Sequence, residues 1–289
     1  MKTYLDCYPC IIRQALDTIR LSTDDEALQK TTMNKAMAIL SGSSLNLSSP
    51  QISYYIYKEL KRITGCDDPY NEIKKKYNRI ALEMSRKLRK TIKYSKDPLM
   101  MAARIAIAGN IIDFGANSKF DLDAALKDSL ENDFAINDYH AFLNSLCDSH
   151  SILYLGDNAG EIVFDKLLIE TMNSKHKHEI IYVVKGEPVI NDATLEDAME
   201  TGMADVATVI TNGSGAPGTI LNECSPEFLE AYKSAQMIIA KGQGNYETLS
   251  ETKNEKIFFL LKVKCQLIAR HIGVAEGCMV LKRGNRRCE

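Results

Sequence analysis

The sequence predicts an α/β protein in which a helical N-terminal part, residues 1–150, precedes a part with a mostly parallel sheet, residues 151–289. Glycine divides the chain at this point, because only four of its 16 glycines lie in residues 1–150. Glycine-poor sequence with a sustained helical repeat is typical of a helical domain. After residue 150, short β-branched and aromatic runs alternate with helix-period segments, which indicates βαβ units and a sheet covered on both faces. No long flexible linker is evident, so the two parts should pack closely.

Seven helices are predicted in the N-terminal part from the spacing of its apolar residues. They cover residues 7–20, 24–41, 50–64, 69–94, 98–113, 121–131 and 138–149. Ser49-Pro50, Asp68-Pro69 and Asp97-Pro98 each combine a capping side chain with a proline suited to the first turn, so they mark helix starts. The basic run 74–76 in the fourth helix indicates a solvated face.

Five strands are predicted in the C-terminal part from short apolar runs. They are Ser151–Leu155, Glu179–Val184, Val206–Ile210, Met237–Ala240 and Cys278–Leu281. Helix-period segments lie between them at residues 161–174, 192–202, 226–234 and 254–272.

The composition excludes several classes of function. Of 289 residues, 45% are hydrophobic and 26% are charged, which is ordinary for a globular protein and excludes a mostly disordered chain. The 36 basic and 38 acidic residues give a formal net charge of −2, so neither a nucleic-acid footprint nor a nucleic-acid partner is indicated. No apolar run reaches the roughly 18–20 residues of a membrane helix, and no signal peptide is evident. Eight cysteines without such a signal indicate reduced thiols and a cytoplasmic location.

Polar loops with glycines follow four of the predicted strands. They are residues 156–161, 185–194, 211–215 and 241–247. Because ligands of open parallel sheets bind outside the carboxyl ends of the strands, we expect these loops to form one site.

The residue types of these loops point to phosphoryl chemistry. Asp157, Asn158 and Asp192 offer two carboxylates and an amide oxygen, a hard oxygen set that suits Mg²⁺, Mn²⁺, Co²⁺ or Ni²⁺. Lys185 and Lys241 are point charges able to neutralise phosphate oxygens. The glycines allow backbone N–H groups to approach an anion. A metal, lysines and amide-lined loops around one cleft are typical of sites that act by positioning and charge neutralisation.

Each motif also has a structural interpretation. The run 156–160 resembles a dinucleotide-type turn but lacks the full G-x-G-x-x-G spacing. Asp192 is equally suited to cap the following helix, and residues 212–215 are commonly a simple turn. In the helical part, Asn110 and Asp113 share a helix face, and a polar C-cap explains them equally well. The loops favour a site only when they are taken together.

Four segments, taken together, carry a family resemblance. They are LGDNAGEIVFD (155–165), VKGEPVINDAT (184–194), AKGQGNYE (240–247) and GNIID (109–113). In this order they resemble the metal-dependent damage-control phosphatase family, formerly a domain of unknown function and also called the acidic-residue-methyltransferase-like metal-binding domain. The resemblance is closest to the archaeal and prokaryotic branch and covers essentially the whole chain. It implies a helical N-terminal part joined to a Rossmann-like α/β/α part, and hydrolysis of phosphate monoesters such as sugar phosphates and damaged phosphometabolites.

The resemblance also implies the roles of individual loop residues. The family's Asp-Asn pair falls on Asp157 and Asn158, and its third metal ligand falls on Asp192. The lysine of its Lys-Gly-x-x-Asn segment falls on Lys241, with Asn245 alongside.

Two further family elements fall outside these loops. The Gly-Asn-x-x-Asp element falls on Gly109, Asn110 and Asp113, which brings the helical part into the site. Other branches carry an Arg-Thr-x-Lys element, and the matching stretch 259–262 keeps only its lysine, Lys262. Lys262 is therefore a candidate phosphate ligand, while the substrate preference of those branches does not transfer.

The predicted reaction is attack on phosphorus by a metal-bound water. Lys241, Lys262 and Lys185 would hold the phosphate, and Asp113 or Glu161 would assist proton transfer. Direct attack by an aspartate carboxylate stays open. The predicted partner is a small phosphorylated metabolite, and a homo-oligomer is left open.

Two other functions fit the same loops. A non-catalytic protein that binds a sugar phosphate or a nucleotide would use them without turnover. A carboxyl methyltransferase, which the family's other name suggests, is the least supported, because no glycine-rich turn of the usual cofactor type precedes an acidic ribose ligand.

Cys7 and Cys10 form a C-x-x-C pair with the spacing of a zinc site. No second pair follows, so the sequence predicts either buried thiols or a metal or redox site that folding completes with Cys66 or Cys265.

Overall fold

The computed structural model of the protein describes residues 1–109, 133–174 and 176–285, and these ranges contain eleven α-helices and one seven-stranded sheet. The helices are α1 (Cys7–Ser22), α2 (Glu26–Gly42), α3 (Ser49–Thr64), α4 (Asn71–Tyr94), α5 (Pro98–Ala108), α6 (Tyr139–Asp148), α7 (Glu161–Met172), α8 (Leu195–Glu200), α9 (Pro226–Ser234), α10 (Gly242–Leu249) and α11 (Gln266–Ile272). The strands are β1 (Ile136–Asn137), β2 (Ser151–Leu155), β3 (Glu179–Val184), β4 (Thr208–Thr211), β5 (Met237–Lys241), β6 (Ile257–Lys262) and β7 (Met279–Arg283).

Side-chain caps mark the starts of α2, α3 and α5. The Asp25 carboxylate accepts the backbone N–H groups of Ala27 and Leu28 at the start of α2. Ser48 forms a reciprocal capping box with Gln51 at the start of α3. Asp97 caps α5 immediately before Pro98, as predicted. These bonds satisfy backbone donors that a helix cannot satisfy internally.

The sheet has the doubly wound topology that places a ligand site at its centre. Its strand order is β1-β7-β6-β5-β2-β3-β4. Strands β2 to β6 run parallel, whereas β7 is antiparallel to β6 and β1 is parallel to β7. The chain moves outward from β2 through β3 to β4, and then returns to the other side of β2 with β5 and β6. The order therefore reverses between β2 and β5, which is the topological switch point of this fold.

Helices cover both faces of the sheet, as the sequence predicts. Ile152 and Tyr154 of β2 face one core, which also contains buried residues of α4, α5, α6 and α7. Leu153 and Leu155 face the other core, which contains buried residues of α9, α10 and α11. Strands buried on both faces read as continuous apolar runs.

The first three helices form a separate small core next to the sheet. Its members include Ala15 of α1, Ala36 of α2 and Ile56 of α3. Val189 and Ile190, from the loop after β3, pack into it. The helical bundle therefore touches the loop that carries Asp192.

The helix predicted over residues 254–272 is wrong. Residues 257–262, with the sequence IFFLLK, form the buried strand β6, and only Gln266–Ile272 are helical. A strand buried on both faces lacks polar alternation, so periodicity does not distinguish it from a buried helix. The sequence pattern does not predict the short strand β1, and it predicts a loop where helix α10 lies.

The basic run of α4 is not wholly solvated as predicted. Lys74 is buried and contacts the carboxylates of Asp68 and Asp197 at 2.7 and 3.4 Å. Lys76 is exposed, in agreement with the prediction.

The two predicted parts share one core. Helices α4, α5 and α6 lie on the sheet, and β1 pairs with β7. The boundary at residue 150 stays a prediction about folding units. The predicted helix 121–131 and the end of the one at 98–113 lie outside the described residues, as do Asn110 and Asp113. Within the described ranges, no helix is long and apolar enough to cross a membrane.

Candidate metal and phosphate site

A cleft of about 900 Å³ opens at the carboxyl ends of the central strands. Asp157 and Asn158, which follow β2, line it together with Asp192 from the loop after β3. Residues of α1 and α3 line it from the helical bundle, and Lys264 to Leu267 line it from the segment after β6. The structure thus brings together the three predicted metal ligands at the switch point of the sheet.

A short stretch of backbone pairing holds these three residues together. Asn158 and Asp192 form an isolated antiparallel β-bridge. The N–H of Ala159 donates to the carbonyl of Asn191 at 2.9 Å, and the N–H of Ala193 donates to the carbonyl of Asp157 at 2.8 Å. The two loops are therefore linked at the residues expected to bind the metal.

Gly242 is required beside Asp157 for two reasons. Its φ of +78° lies in the left-handed region, which residues with a side chain rarely adopt. A Cβ at this position would lie 1.9 Å from Oδ2 of Asp157. The first residue of α10 therefore leaves space for the carboxylate that follows β2.

Asp192 does not cap a helix. Helix α8 begins at Leu195, with Thr194 at its N-cap, and the Asp197 carboxylate accepts the Thr194 N–H at 2.8 Å. Oδ2 of Asp192 is buried without a hydrogen-bond partner in the described chain, and Nζ of Lys185 lies 3.3 Å from it. The Asp192 carboxylate therefore faces the Lys185 ammonium and the cleft rather than a helix terminus.

Burial disfavours the ionised form of the carboxyl groups in the metal-free site. It raises the pKa of Asp192 to about 7, although the Lys185 ammonium opposes the shift. It raises the pKa of Asp157 as well, against the nearby lysines, of which Lys264 has the largest effect. Desolvated carboxylates that share a site are stabilised by an additional positive charge.

A buried network lies behind the cleft. Nδ2 of Asn158 donates to Oε1 of Glu161 at 2.6 Å and to Oδ2 of Asp157 at 3.1 Å. Nζ of Lys241 lies 3.5 Å from Oε2 of Glu161 and 2.6 Å from Oδ1 of Asp165. Burial raises the pKa of Glu161 to about 8, with Lys241 opposing. The amide oxygen of Asn158 accepts no hydrogen bond from the residues that the structure describes.

The sequence analysis missed Asp165. Its carboxylate accepts the hydroxyl protons of Tyr154 and Tyr182, each at 2.8 Å, in addition to the Lys241 bond. Although burial favours a neutral amine, the carboxylates of Asp165 and Glu161 raise the pKa of Lys241. Asp165 is four residues after Glu161 in α7, so it lies on the same helix face. That spacing was the available signal.

Three predicted phosphate-binding residues are buried outside the cleft lining. Lys241 and Asn245 are fully buried, and Lys185 is nearly so. The Asn245 side chain donates to the Lys241 carbonyl at 2.8 Å and accepts from the Thr219 hydroxyl at 2.7 Å. Lys185 donates to the Gly218 carbonyl. Their direct role toward phosphate stays a prediction.

Lys264 lines the cleft, whereas Lys262 does not. Lys262 ends β6 and is partly buried. The signal for Lys264 was the second lysine of the KVKC run at 262–265, which the sequence analysis did not use.

Cys265 lies in the same cleft as Cys7 and Cys10, whereas Cys66 lies elsewhere. None of these four cysteines forms a disulfide within the described part of the chain, and Cys7 is partly buried whereas Cys10 is exposed, so the pair is not the buried thiol pair that the sequence offered as one interpretation. Among the described residues, no group of three or more His, Cys, Asp or Glu side chains is placed to hold a metal ion. The candidate ligand set instead combines the two carboxylates with the amide of Asn158.

Comparisons with known proteins extend over almost the full chain. Residues 3–280 match the damage-control phosphatase ARMT1-like domain. The chain is 36% identical over 286 residues to a protein of Pyrococcus horikoshii named damage-control phosphatase, with 98% of each covered. It is 34% identical over 285 residues to another damage-control phosphatase, of Archaeoglobus fulgidus, with 96% of this chain and 97% of that protein covered. It is also 40% identical over 285 residues to an uncharacterized protein of Methanocaldococcus jannaschii, with 96% and 93% covered.

A solved structure shows the same fold. The crystal structure of a DUF89 family protein from Pyrococcus horikoshii has a TM-score of 0.88 and 35% sequence identity, and the match covers 99% of this chain and 100% of that one. The shared fold therefore includes the helical bundle as well as the sheet.

Proposed function

Since the chain belongs to the damage-control phosphatase ARMT1-like family, we propose that it hydrolyses phosphate monoesters of small metabolites with the help of a divalent metal ion. Family membership supports a phosphatase. The metal ion, the substrate class and the residue roles are proposed from the cleft.

The arrangement of Asp157, Asn158 and Asp192 carries the proposal. The β-bridge holds two carboxylates and an amide at one end of the cleft. Oδ2 of Asp192 is buried and accepts no hydrogen bond within the described chain, and the Lys185 ammonium lies 3.3 Å from it. Desolvated carboxylates that share a site are stabilised by further positive charge, which a divalent ion would supply. These residues fit Mn²⁺, Mg²⁺, Co²⁺ or Ni²⁺, which accept oxygen ligands.

We assign Lys264 as the side chain that binds the phosphate group of the substrate. It is exposed, lines the cleft and lowers the pKa of Asp157 against the effect of burial, so its ammonium lies near the carboxylates. Asp157, Asn158 and Asp192 would hold the divalent ion, which would supply positive charge to the phosphoryl oxygens and make water a stronger nucleophile. Lys185 and Lys241, buried against Asp192 and Glu161, hold the site together electrostatically.

The size of the cleft supports a small-molecule substrate, and its lining includes amides as well as apolar residues. Its volume of about 900 Å³ falls within the range of about 300–1,000 Å³ that is usual for small-molecule sites. Gln14 and Gln266 are among its lining residues, and amides both donate to and accept from hydroxyl groups. A sugar phosphate or a related phosphometabolite fits this chemistry.

A metal-by-substrate screen tests the proposal. Purified protein, stripped with a chelator, is given Mn²⁺, Mg²⁺, Co²⁺ or Ni²⁺ together with each of a panel of sugar phosphates, and inorganic phosphate release is measured. We expect release only after metal is added. Release at the same rate from protein shown by elemental analysis to be metal-free would overturn the metal dependence.

The same screen distinguishes the two other functions. Saturable binding of a sugar phosphate or nucleotide with no phosphate release under any metal would favour a non-catalytic binding protein. Methyl transfer to a carboxyl group would require a methyl-donor cofactor, so binding of such a donor in place of phosphate release would favour a methyltransferase. The proposal assigns no chemical step to Cys7 or Cys10.

A further inference from the structure

Asn78 of α4 is a fully buried polar residue that does not line the cleft. Both ends of its side-chain amide are hydrogen-bonded to neighbouring elements. Oδ1 accepts the backbone N–H of Gly160 at 2.8 Å. Nδ2 donates to Oδ1 of Asp197 and to Oε2 of Glu200, each at 2.9 Å.

These partners determine the orientation of the amide. A backbone N–H only donates and ionised carboxylates only accept, so the oxygen must face Gly160 and the nitrogen must face Asp197 and Glu200. A single side chain is thus matched at both ends, and an aspartate or a leucine of similar shape cannot make all three bonds.

The two ends of Asn78 hold the two loops that carry the candidate metal ligands. Gly160 is two residues after Asn158 and is the N-cap of α7, with a φ of +78°. Asp197 accepts the N–H of Thr194, which is two residues after Asp192. Asn78 therefore joins the loop of Asp157 and Asn158 to the loop of Asp192 from behind.

This link complements the β-bridge between Asn158 and Asp192. The bridge joins the loops to each other, whereas Asn78 joins both to α4, a helix of the N-terminal part. Lys74, one turn before Asn78, contacts the same Asp197 carboxylate. A Cβ on Gly160 would lie 3.2 Å from Cβ of Tyr77, so the loop lies against α4 closely.

We propose that Asn78 is a positioning residue for the divalent metal site, through which α4 sets the separation of Asp157 and Asn158 from Asp192. This role rests on the proposed metal-dependent function. Groups that orient metal ligands from outside the coordination sphere typically change metal affinity by about 10–100-fold when they are removed.

The test measures Mn²⁺ affinity by calorimetry on metal-stripped, folded protein below the melting temperature of every variant. Asn78→Ala removes both links, and we expect the Kd for Mn²⁺ to rise about 10–100-fold. Asn78→Leu keeps the approximate volume and adds no charge, but it loses the acceptor and both donors. We expect its Kd for Mn²⁺ to rise by a similar factor, about 10–100-fold.

Two control variants distinguish a specific effect of Asn78 on the metal ligands from a general loss of stability of α4. Leu88→Ala opens a cavity on the buried face of the same helix, so it lowers the melting temperature without touching either loop. Arg89→Ala removes another α4–α7 link, the ion pair with Glu170, far along the helix. Both should bind Mn²⁺ within about threefold of the wild type, since neither changes a ligand or its support.

Hydrogen exchange gives a readout that does not depend on metal. In metal-free Asn78→Ala, amide exchange in residues 158–162 should accelerate relative to Leu88→Ala, because the Gly160 N–H has lost its acceptor. Unchanged exchange there, or an Mn²⁺ Kd within threefold of the wild type for both Asn78 variants, overturns the proposal. Failure of the wild type to bind any of the four ions would overturn the metal-dependent function, and this role with it.

Discussion

Thr194 and Asp197 cap the helix that follows Asp192. Of the two candidate roles for Asp192, helix cap or metal ligand, this arrangement excludes the first. Asp192→Asn should therefore leave the cap of α8 intact, and the lost ion pair with Lys185 should lower the melting temperature of the metal-free protein. The change removes one negative charge from the cation site, so the Mn²⁺ Kd should rise at least about tenfold and most activity should be lost. Calorimetry with Mn²⁺ and phosphate release measure the two effects.

Asp205→Asn is the matched control for this charge change. Its side chain is largely exposed and pairs with Lys166 away from the cleft, so metal affinity and turnover should stay within about twofold of the wild type. Normal metal binding and turnover by Asp192→Asn would show that Asp192 is not a ligand.

Two lysines of the KVKC run, Lys262 and Lys264, are alternative candidates for the phosphate ligand. Lys264 lines the cleft and Lys262 does not. Lys264→Gln should therefore lower kcat/KM on the order of 10²–10³-fold, the loss typical of a preorganised group that stabilises developing charge. Metal affinity should change little. Lys262→Gln should retain activity within about tenfold, and the reverse ranking in a phosphate-release assay would restore the sequence-based assignment.

At the scale of an element, the first residue of α10, Gly242, leaves space for the Asp157 carboxylate in the loop after β2. Gly242→Ala would force a left-handed backbone and a Cβ against Asp157, so we expect loss of metal affinity by at least about tenfold. Gly65→Ala is the control, because that glycine also has a positive φ but open space around its Cβ. It should cost about 1–2 kcal/mol of stability and leave the Mn²⁺ Kd unchanged. Equal Kd values for the two variants would contradict this prediction.

Across the whole molecule, the buried carboxyls couple stability to pH. Burial raises the pKa of Asp192 to about 7 and of Glu161 to about 8, above their unfolded values of about 4. A carboxyl with a raised pKa takes up a proton on folding, so its stabilising contribution is full below the unfolded pKa and is lost as pH rises through the folded pKa.

Metal-free protein should therefore melt at a lower temperature at about pH 8.5 than at about pH 6, by at least about 2 °C. Saturating Mn²⁺ should raise the melting temperature more at the higher pH, because the ion binds the ionised carboxylates. Calorimetric melting with a chelator and with Mn²⁺ measures both slopes. A chelated protein whose melting temperature rises over this range would contradict the assignment of the pKa shifts.

The sequence determined much of the fold because its signals are local. Capping residues such as Asp97 and short strands such as Ser151–Leu155 depend on neighbouring residues, and the structure confirms both. The apolar pattern of Ile257–Lys262 predicts a helix, although the segment is a strand. Burial on both faces removes the polar alternation that marks a strand. The metal-ligand candidates Asp157, Asn158 and Asp192 were accessible to sequence analysis because they follow strands of one parallel sheet, whose carboxyl ends meet at one edge.

The tertiary structure decided what those residues touch. Nothing in the local sequence shows that Lys74 is buried, that Asp165 neutralises Lys241, or that Lys264 rather than Lys262 lines the cleft. Each of these contacts depends on packing between segments far apart in the chain. The same holds for the hydrogen bonds of Asn78 to Gly160 and Asp197, next to the two loops that carry the candidate metal ligands. The sequence by itself determined the family and the α/β architecture, and it predicts the chemical type of the site. The fold determined which charges meet, because the distance between two side chains depends on tertiary contacts that no local pattern encodes.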